Sequence, residues 1–167
     1  MQIQNERRAE CMEGLALLQK AQPIRNLCEL HADDLDDVAR LVPDERILKR
    51  VRHCITENER VLESVAALRA GNLERLGALL KASHESLRFD YEVSGLELDT
   101  LADAANAHPG CLGARMTGAG FGGCAIAIVR KDAVADFTAR VAEAYTEKTG
   151  LTASFFACEA GNGAGRV

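Results

Sequence analysis

The sequence predicts an α+β fold, an antiparallel sheet covered by helices on one face, and three observations carry that expectation. Apolar residues recur at three- and four-residue steps through the first two thirds of the chain, the period of helices buried on one side. Two short apolar runs with glycines between them follow, and then one more helical pattern and one more short apolar run. Helices followed by strand, strand, helix, strand is the order of an α+β unit, not of an alternating parallel sheet.

The first helix is expected from Glu6 to about Leu18, with Ala9, Met12, Leu15 and Ala16 on its apolar stripe. Asp33 or Asp34 is placed to cap a short second helix ending at Leu41, because Pro43 disfavours helical geometry at Val42. Between Asp44 and Ala70, residues Ile47, Val51, Cys54, Ile55, Leu62, Val65 and Leu68 define one apolar face, and Gly71 ends the helix. Asn72 caps a fourth helix with Leu73, Leu76, Leu80, Ser83 and Leu87 on a stripe that Leu79 broadens. A fifth helix runs from Leu96 to Ala107 and stops at His108-Pro-Gly110.

Strands are expected at Cys111–Thr117 and Gly123–Arg130. Asp132 would cap a last helix with Val134, Phe137, Val141 and Tyr145 inward and Gly150 at its end. Thr152–Glu159 reads as a third strand, and the tail from Gly161 is rich in turn-forming glycine. The whole of 1–167 is expected to form one domain, mainly helical over about 5–89 and helix-strand-strand-helix-strand over about 95–160.

Composition narrows the function. A 167-residue chain that is 47% hydrophobic and 27% charged has the apolar mass for a core. A formal charge of -5 gives no basic surface for a nucleic-acid partner. No apolar run approaches the roughly 20 residues of a membrane span, and Met1–Arg8 has no signal-peptide stretch, so a cytoplasmic protein without a membrane partner is expected. The six cysteines lack any Cys-x-x-Cys pair, which signals neither zinc nor a redox motif. Several lie in apolar stretches, Cys124 among them, and are expected as reduced, buried side chains.

The densest chemical signal is Arg115-Met-Thr-Gly118-Ala-Gly120-Phe-Gly122-Gly123-Cys124. Glycines let main-chain amides approach a ligand, and successive amides form an anion-binding concavity. The formal Gly-x-Gly-x-x-Gly match is not a dinucleotide fingerprint, because a strand and not a helix follows it. No Lys-Ser or Lys-Thr follows either, which excludes a Walker A loop. From pattern alone, a tight connection between strands stands as the alternative.

This segment resembles the third motif of the GHMP kinases, in the form that galactokinases carry. Ser83-His-Glu-Ser-Leu-Arg-Phe-Asp-Tyr-Glu-Val-Ser94-Gly-Leu-Glu-Leu-Asp99 is similar to a second galactokinase segment, and Asn5-Glu-Arg-Arg-Ala-Glu-Cys11 to a third. Arg52-His53 and Glu57-Asn-Glu-Arg-Val61 also fit, so the likeness spans almost the whole chain in order. The resemblance implies a ferredoxin-like sheet with added helices. It also implies ATP and Mg²⁺ as cofactors, galactose phosphorylated at its 1-hydroxyl, and Gly118, Gly120, Gly122 and Gly123 along the triphosphate side of the cleft.

Phosphoryl transfer needs charge stabilisation and a group that positions or deprotonates the attacking hydroxyl. The resemblance assigns these to an N-terminal half with a Gly-Leu-Ser-Ser-Ser loop, an Arg and an Asp, none of which these 167 residues hold. No catalytic residue and no metal ligand is therefore assigned, and Gln4 stands where the family has a sugar-contacting Tyr. The expectation is a C-terminal kinase part that is inactive alone and has the missing half as its partner. Its absence would expose an apolar flank and promote dimerisation or aggregation. A non-catalytic binding or regulatory module is one alternative. Another GHMP sugar kinase, acting on N-acetylgalactosamine or arabinose, is a second. His84 is expected to pack or hydrogen-bond within the fold, Asp90 and Glu92 to fix a loop with Arg88 nearby, and Arg7 and Arg8 to be a solvated or ion-paired face.

Overall fold

Six helices and a two-stranded sheet form in the computed structural model, which describes residues 2–159 and Gly161, with side chains from Asn5 onward. The elements are α1 (Gln2–Leu18), α2 (Leu35–Leu41), α3 (Glu45–Arg69), α4 (Leu73–Phe89), α5 (Leu96–Ala107), β1 (Cys111–Thr117), β2 (Cys124–Val129) and α6 (Val134–Thr149). The fold is α+β, with the sheet antiparallel as expected. The glycine-rich tail lies outside the described residues apart from Gly161.

Local signals set most boundaries. Asp44 accepts from the amides of Arg46 and Ile47, Asn72 accepts from Arg75, and Gly71 and Gly150 take the left-handed conformation after α3 and α6. Asp132 does not cap α6: it lies in a 3-10 turn, Lys131–Ala133, and the cap position falls on Ala133 without a side-chain bond.

The stripe expected on α1 is turned away from the core. Leu15 is buried but Ala9, Met12 and Ala16 are exposed, and the inward face is Glu10, Cys11, Gly14, Leu15 and Leu18. Two causes rotate it. A Cβ on Gly14 would overlap Val51, so the helices touch directly there, and buried Glu10 pairs with a charge on α3. On α3 the inward face holds for Ile47, Val51 and Ile55, whereas Leu62, Val65 and Leu68 are exposed. Val61 and Leu73, near the same α3–α4 end, are exposed as well.

Helix α4 lies against the backbone of β1, where a Cβ on Gly77 would overlap the Leu112 carbonyl and one on Gly113 would overlap Gly77. The outer edge of β1 is closed by side chains. Asn106 bonds both the amide (2.8 Å) and the carbonyl (3.1 Å) of Ala114, and His84 Nδ1 accepts from the Met116 amide at 3.2 Å. Since strand backbone groups alternate in direction, the residues between these face β2. Register pairs Ala114 with Ala127 and Met116 with Ala125, so Ala125 and Ala127 direct their main-chain groups to the open side of β2.

The expected third strand does not form. Residues 152–159 have no regular secondary structure and make no backbone–backbone hydrogen bond among the described residues. Phe155 packs against the cluster of Ala105, Cys111, Ala114, Phe137 and Val141. Strand and segment flank a groove of about 630 Å³, also lined by Phe137, Val141 and Tyr145 of α6. They are joined through α6 and do not pair with each other among the described residues. Cys124 is exposed for the same reason, against expectation, as are Cys28 and Cys158. No helix among the described residues is long and apolar enough to cross a membrane.

Candidate functional site

The β1–β2 connection, Gly118–Gly123, is held in an unusual backbone state. Gly118, Gly120 and Gly122 have φ of 81°, 85° and 97°, and Phe121 has φ of 56°. Left-handed geometry is open to glycine without cost and strains other residues, so three glycines here are conformational requirements. Gly123 does not share that geometry; it brings the chain back into β2.

One contact pins the loop to the helical layer. The Phe121 amide donates to the Val93 carbonyl at 3.1 Å, and a Cβ on Gly120 would overlap the same oxygen. Nothing lies within 4 Å of a Cβ built on Gly118 or Gly122. The loop thus has a closed side against Val93 and an open side at Gly118 and Gly122.

Val93 is itself fixed from below. Arg50, 1% exposed, donates through Nε to Glu10 (2.7 Å), through Nη1 to the Asp90 carbonyl (2.6 Å) and through Nη2 to Glu92 (2.7 Å). Arg7 donates to the carbonyls of Tyr91 (2.7 Å) and Glu92 (3.2 Å) and to Glu10 (3.0 Å). Two arginines therefore hold three successive carbonyls just before Val93, and Glu92 takes a φ of 53° there. Burial pushes the Glu10 carboxyl up, but bonds from Arg50 and Arg7 outweigh it and hold it below the ordinary range. The Arg50 bond does the same for Glu92.

A second network holds the base of the loop. Arg115 Nη1 reaches Glu57 (3.0 Å) and Ser83 (2.8 Å), and Ser83 donates to Glu57 at 2.5 Å. Arg60 closes the set on Glu57 at 2.7 Å. Desolvation pushes Glu57 up, but the Ser83 hydroxyl and Arg60 bring it below its usual value. The Glu10–Arg50 and Glu57–Arg115 links were not legible in sequence, because their partners lie 40 and 58 residues apart.

The single residues singled out in sequence serve the fold. His84 accepts at Nδ1 and so carries its proton on Nε2, which faces Asp99 at 3.4 Å. Desolvation lowers its pKa. Glu92 fixes the loop through Arg50, while Asp90 accepts from Ser86 at 3.0 Å and faces Arg52 at 3.6 Å. Arg88, the neighbour expected for this pair, instead faces Asp99 and Asp103. Arg7 is ion-paired and Arg8 exposed.

His53 supplies a pH test. It bonds Ser86 at 2.9 Å and stacks on Tyr91, and burial pushes its pKa down to about 4 despite nearby Glu57. Above its unfolded value of about 6.5 both states are neutral and there is no cost. As pH falls from there towards 4 the unfolded state binds the proton more readily, so stability drops by up to about 3 kcal/mol. Urea titrations across this window should show the loss, and a His53→Gln variant should flatten it; an unchanged slope would place the titration elsewhere.

The family model for GHMP kinases C terminal matches residues 64–147, which contain the loop and its contact at Val93. Galactokinase from Exiguobacterium sibiricum is 52% identical over 163 residues, 98% of this chain and 41% of that protein. Galactokinase from Levilactobacillus brevis is 50% identical over 159 residues, 95% of this chain and 41% of its own length. The crystal structure of Lactococcus lactis galactokinase complexed with galactose superposes with a TM-score of 0.91 at 49% identity, across 93% of this chain and 40% of that one. The chain spans about two fifths of the length of these relatives. The backbone fold is thus shared with these relatives, and the chain belongs to the GHMP kinases as their C-terminal domain.

Proposed function

We propose that this chain is the C-terminal wall of a cytoplasmic, ATP-dependent kinase that converts galactose to galactose 1-phosphate. The open side of the Gly118–Gly123 loop supports that reading most directly, with Gly118, Gly120, Gly122 and Gly123 bringing main-chain amides to the nucleotide phosphates. The galactokinase names of the relatives favour galactose over another sugar. Six free thiols suit a reducing compartment. Among the described residues no group of three His, Cys, Asp or Glu side chains fits a metal ion, so no step is assigned to Mg²⁺ through this chain.

The remaining kinase part is the partner. The unpaired main chain of Ala125 and Ala127 on the open side of β2 gives it an edge to pair with. Turnover is expected to need that partner. The chain alone should form no ADP from ATP and galactose in a coupled assay. Joined to the part of Lactococcus lactis galactokinase that it does not span, it should form ADP only when galactose is present. Turnover by the chain alone would overturn the need for a partner; a folded fusion that ignores galactose would overturn the substrate.

A further inference from the structure

Helices α1 and α3 run antiparallel and touch without an intervening side-chain layer where Gly14 meets Val51. Cys11 lies one turn before Gly14 and Cys54 one turn beyond Val51, so the close crossing brings the two thiols together. Their sulfurs are 3.6 Å apart, both half-buried and neither in a disulfide. The pair lies outside the glycine loop.

We propose that Cys11 and Cys54 form a two-electron redox site that takes hydrogen peroxide as oxidant and closes reversibly to an intramolecular disulfide. The Cys11 thiolate attacks a peroxide oxygen, the O–O bond breaks, and the leaving hydroxide takes up the proton that Cys11 lost. The product is a sulfenic acid on Cys11 and water. The Cys54 sulfur then attacks the Cys11 sulfur, the S–O bond breaks, and the departing hydroxide leaves as a second water with the Cys54 proton. Two thiols are oxidised, one peroxide is reduced, and a thiol reductant reverses the bridge.

The surroundings of Cys11 favour its thiolate. A hydrogen bond from Cys54 brings its pKa down to about 7 against burial, with the Tyr91 hydroxyl and Arg50 assisting and Glu10 opposing. The same bond, burial and the neighbouring Cys28 push Cys54 up, which keeps it protonated until the second step. A thiol whose pKa lies near ambient pH is the effective nucleophile in such exchange. Closing the bridge would tie α1 to α3 across 43 residues of chain.

The test treats the full chain with stoichiometric hydrogen peroxide at neutral pH, alkylates free thiols and maps peptides without reductant. The expected result is one linked Cys11–Cys54 peptide lighter by two hydrogens and lost on reduction, with Cys28, Cys111, Cys124 and Cys158 alkylated. Cys54→Ser should instead leave a sulfenic acid on Cys11 that dimedone captures. Removing the nearest competing thiol with Cys28→Ser should leave the linked peptide unchanged. Alkylation of both Cys11 and Cys54 after peroxide, or a bridge from Cys54 to Cys28, would overturn the proposal. Where Cys54→Ser fails to fold, the parent and Cys28→Ser maps decide it.

Discussion

Replacing Arg50 with alanine is expected to lower stability by about 3–5 kcal/mol, the cost of stranding buried charge. Three acceptors lose their donor together: the Glu10 carboxylate, the Glu92 carboxylate and the Asp90 carbonyl. Glu10 is 8% exposed, so water does not replace the guanidinium there, although Arg7 and Arg46 remain beside it. Arg50→Lys should recover only part of the loss, because an ammonium cannot reproduce a planar fork aimed at three acceptors. Urea unfolding measures the difference. Arg40→Ala, which removes an exposed pair with Asp37, is the control and should cost under about 1 kcal/mol. A loss of that size at Arg50 would show that the network is not a foundation of the fold.

The second large effect is expected at Gly120. Alanine there meets two obstacles at once: a φ of 85° and the Val93 carbonyl oxygen, which its Cβ would overlap. The loop must leave Val93, and the Phe121 amide loses its bond. In the isolated chain, hydrogen exchange at the Phe121 amide should lose its protection. In the proposed kinase fusion, where this loop is read as facing the nucleotide phosphates, a displacement on the order of 1 Å should slow transfer about 100-fold. Gly118→Ala separates the two causes. It carries only the left-handed backbone cost of about 1–2 kcal/mol, since nothing lies within 4 Å of its Cβ. Equal rates for the two variants would remove Val93 as the anchor.

The helices with strong end signals were legible because their determinants are local. Asp44, Gly71, Asn72 and Gly150 act within a few residues of where they stand, and a sequence window contains the whole cause. The face of α1 was not, because Glu10 is buried by a charge on α3, and periodicity rates a buried carboxylate as outward. Thr152–Glu159 has strand composition, but a strand also needs a neighbour, and these residues find none among the described residues. Cys124 was misplaced for the same reason: an apolar run states a preference for burial and does not supply the cover. At the candidate site, Gly118, Gly120 and Gly122 announced their backbone in sequence. Val93, Glu57 and Ser83 did not, because they reach the loop region only through tertiary packing.

The meeting of Gly77 with Leu112 and Gly113 bears on how force passes through the molecule. Side chains between a helix and a sheet ordinarily act as a compliant layer, since rotamers absorb small displacements before the backbone on the far side responds. Here that layer is absent: α4 and β1 touch main chain to main chain. A load applied at the exposed α3–α4 end would therefore reach β1 undamped, and β1 leads directly into the glycine turn. The helix is a stiff lever whose far end sets where the main chain of that turn stands.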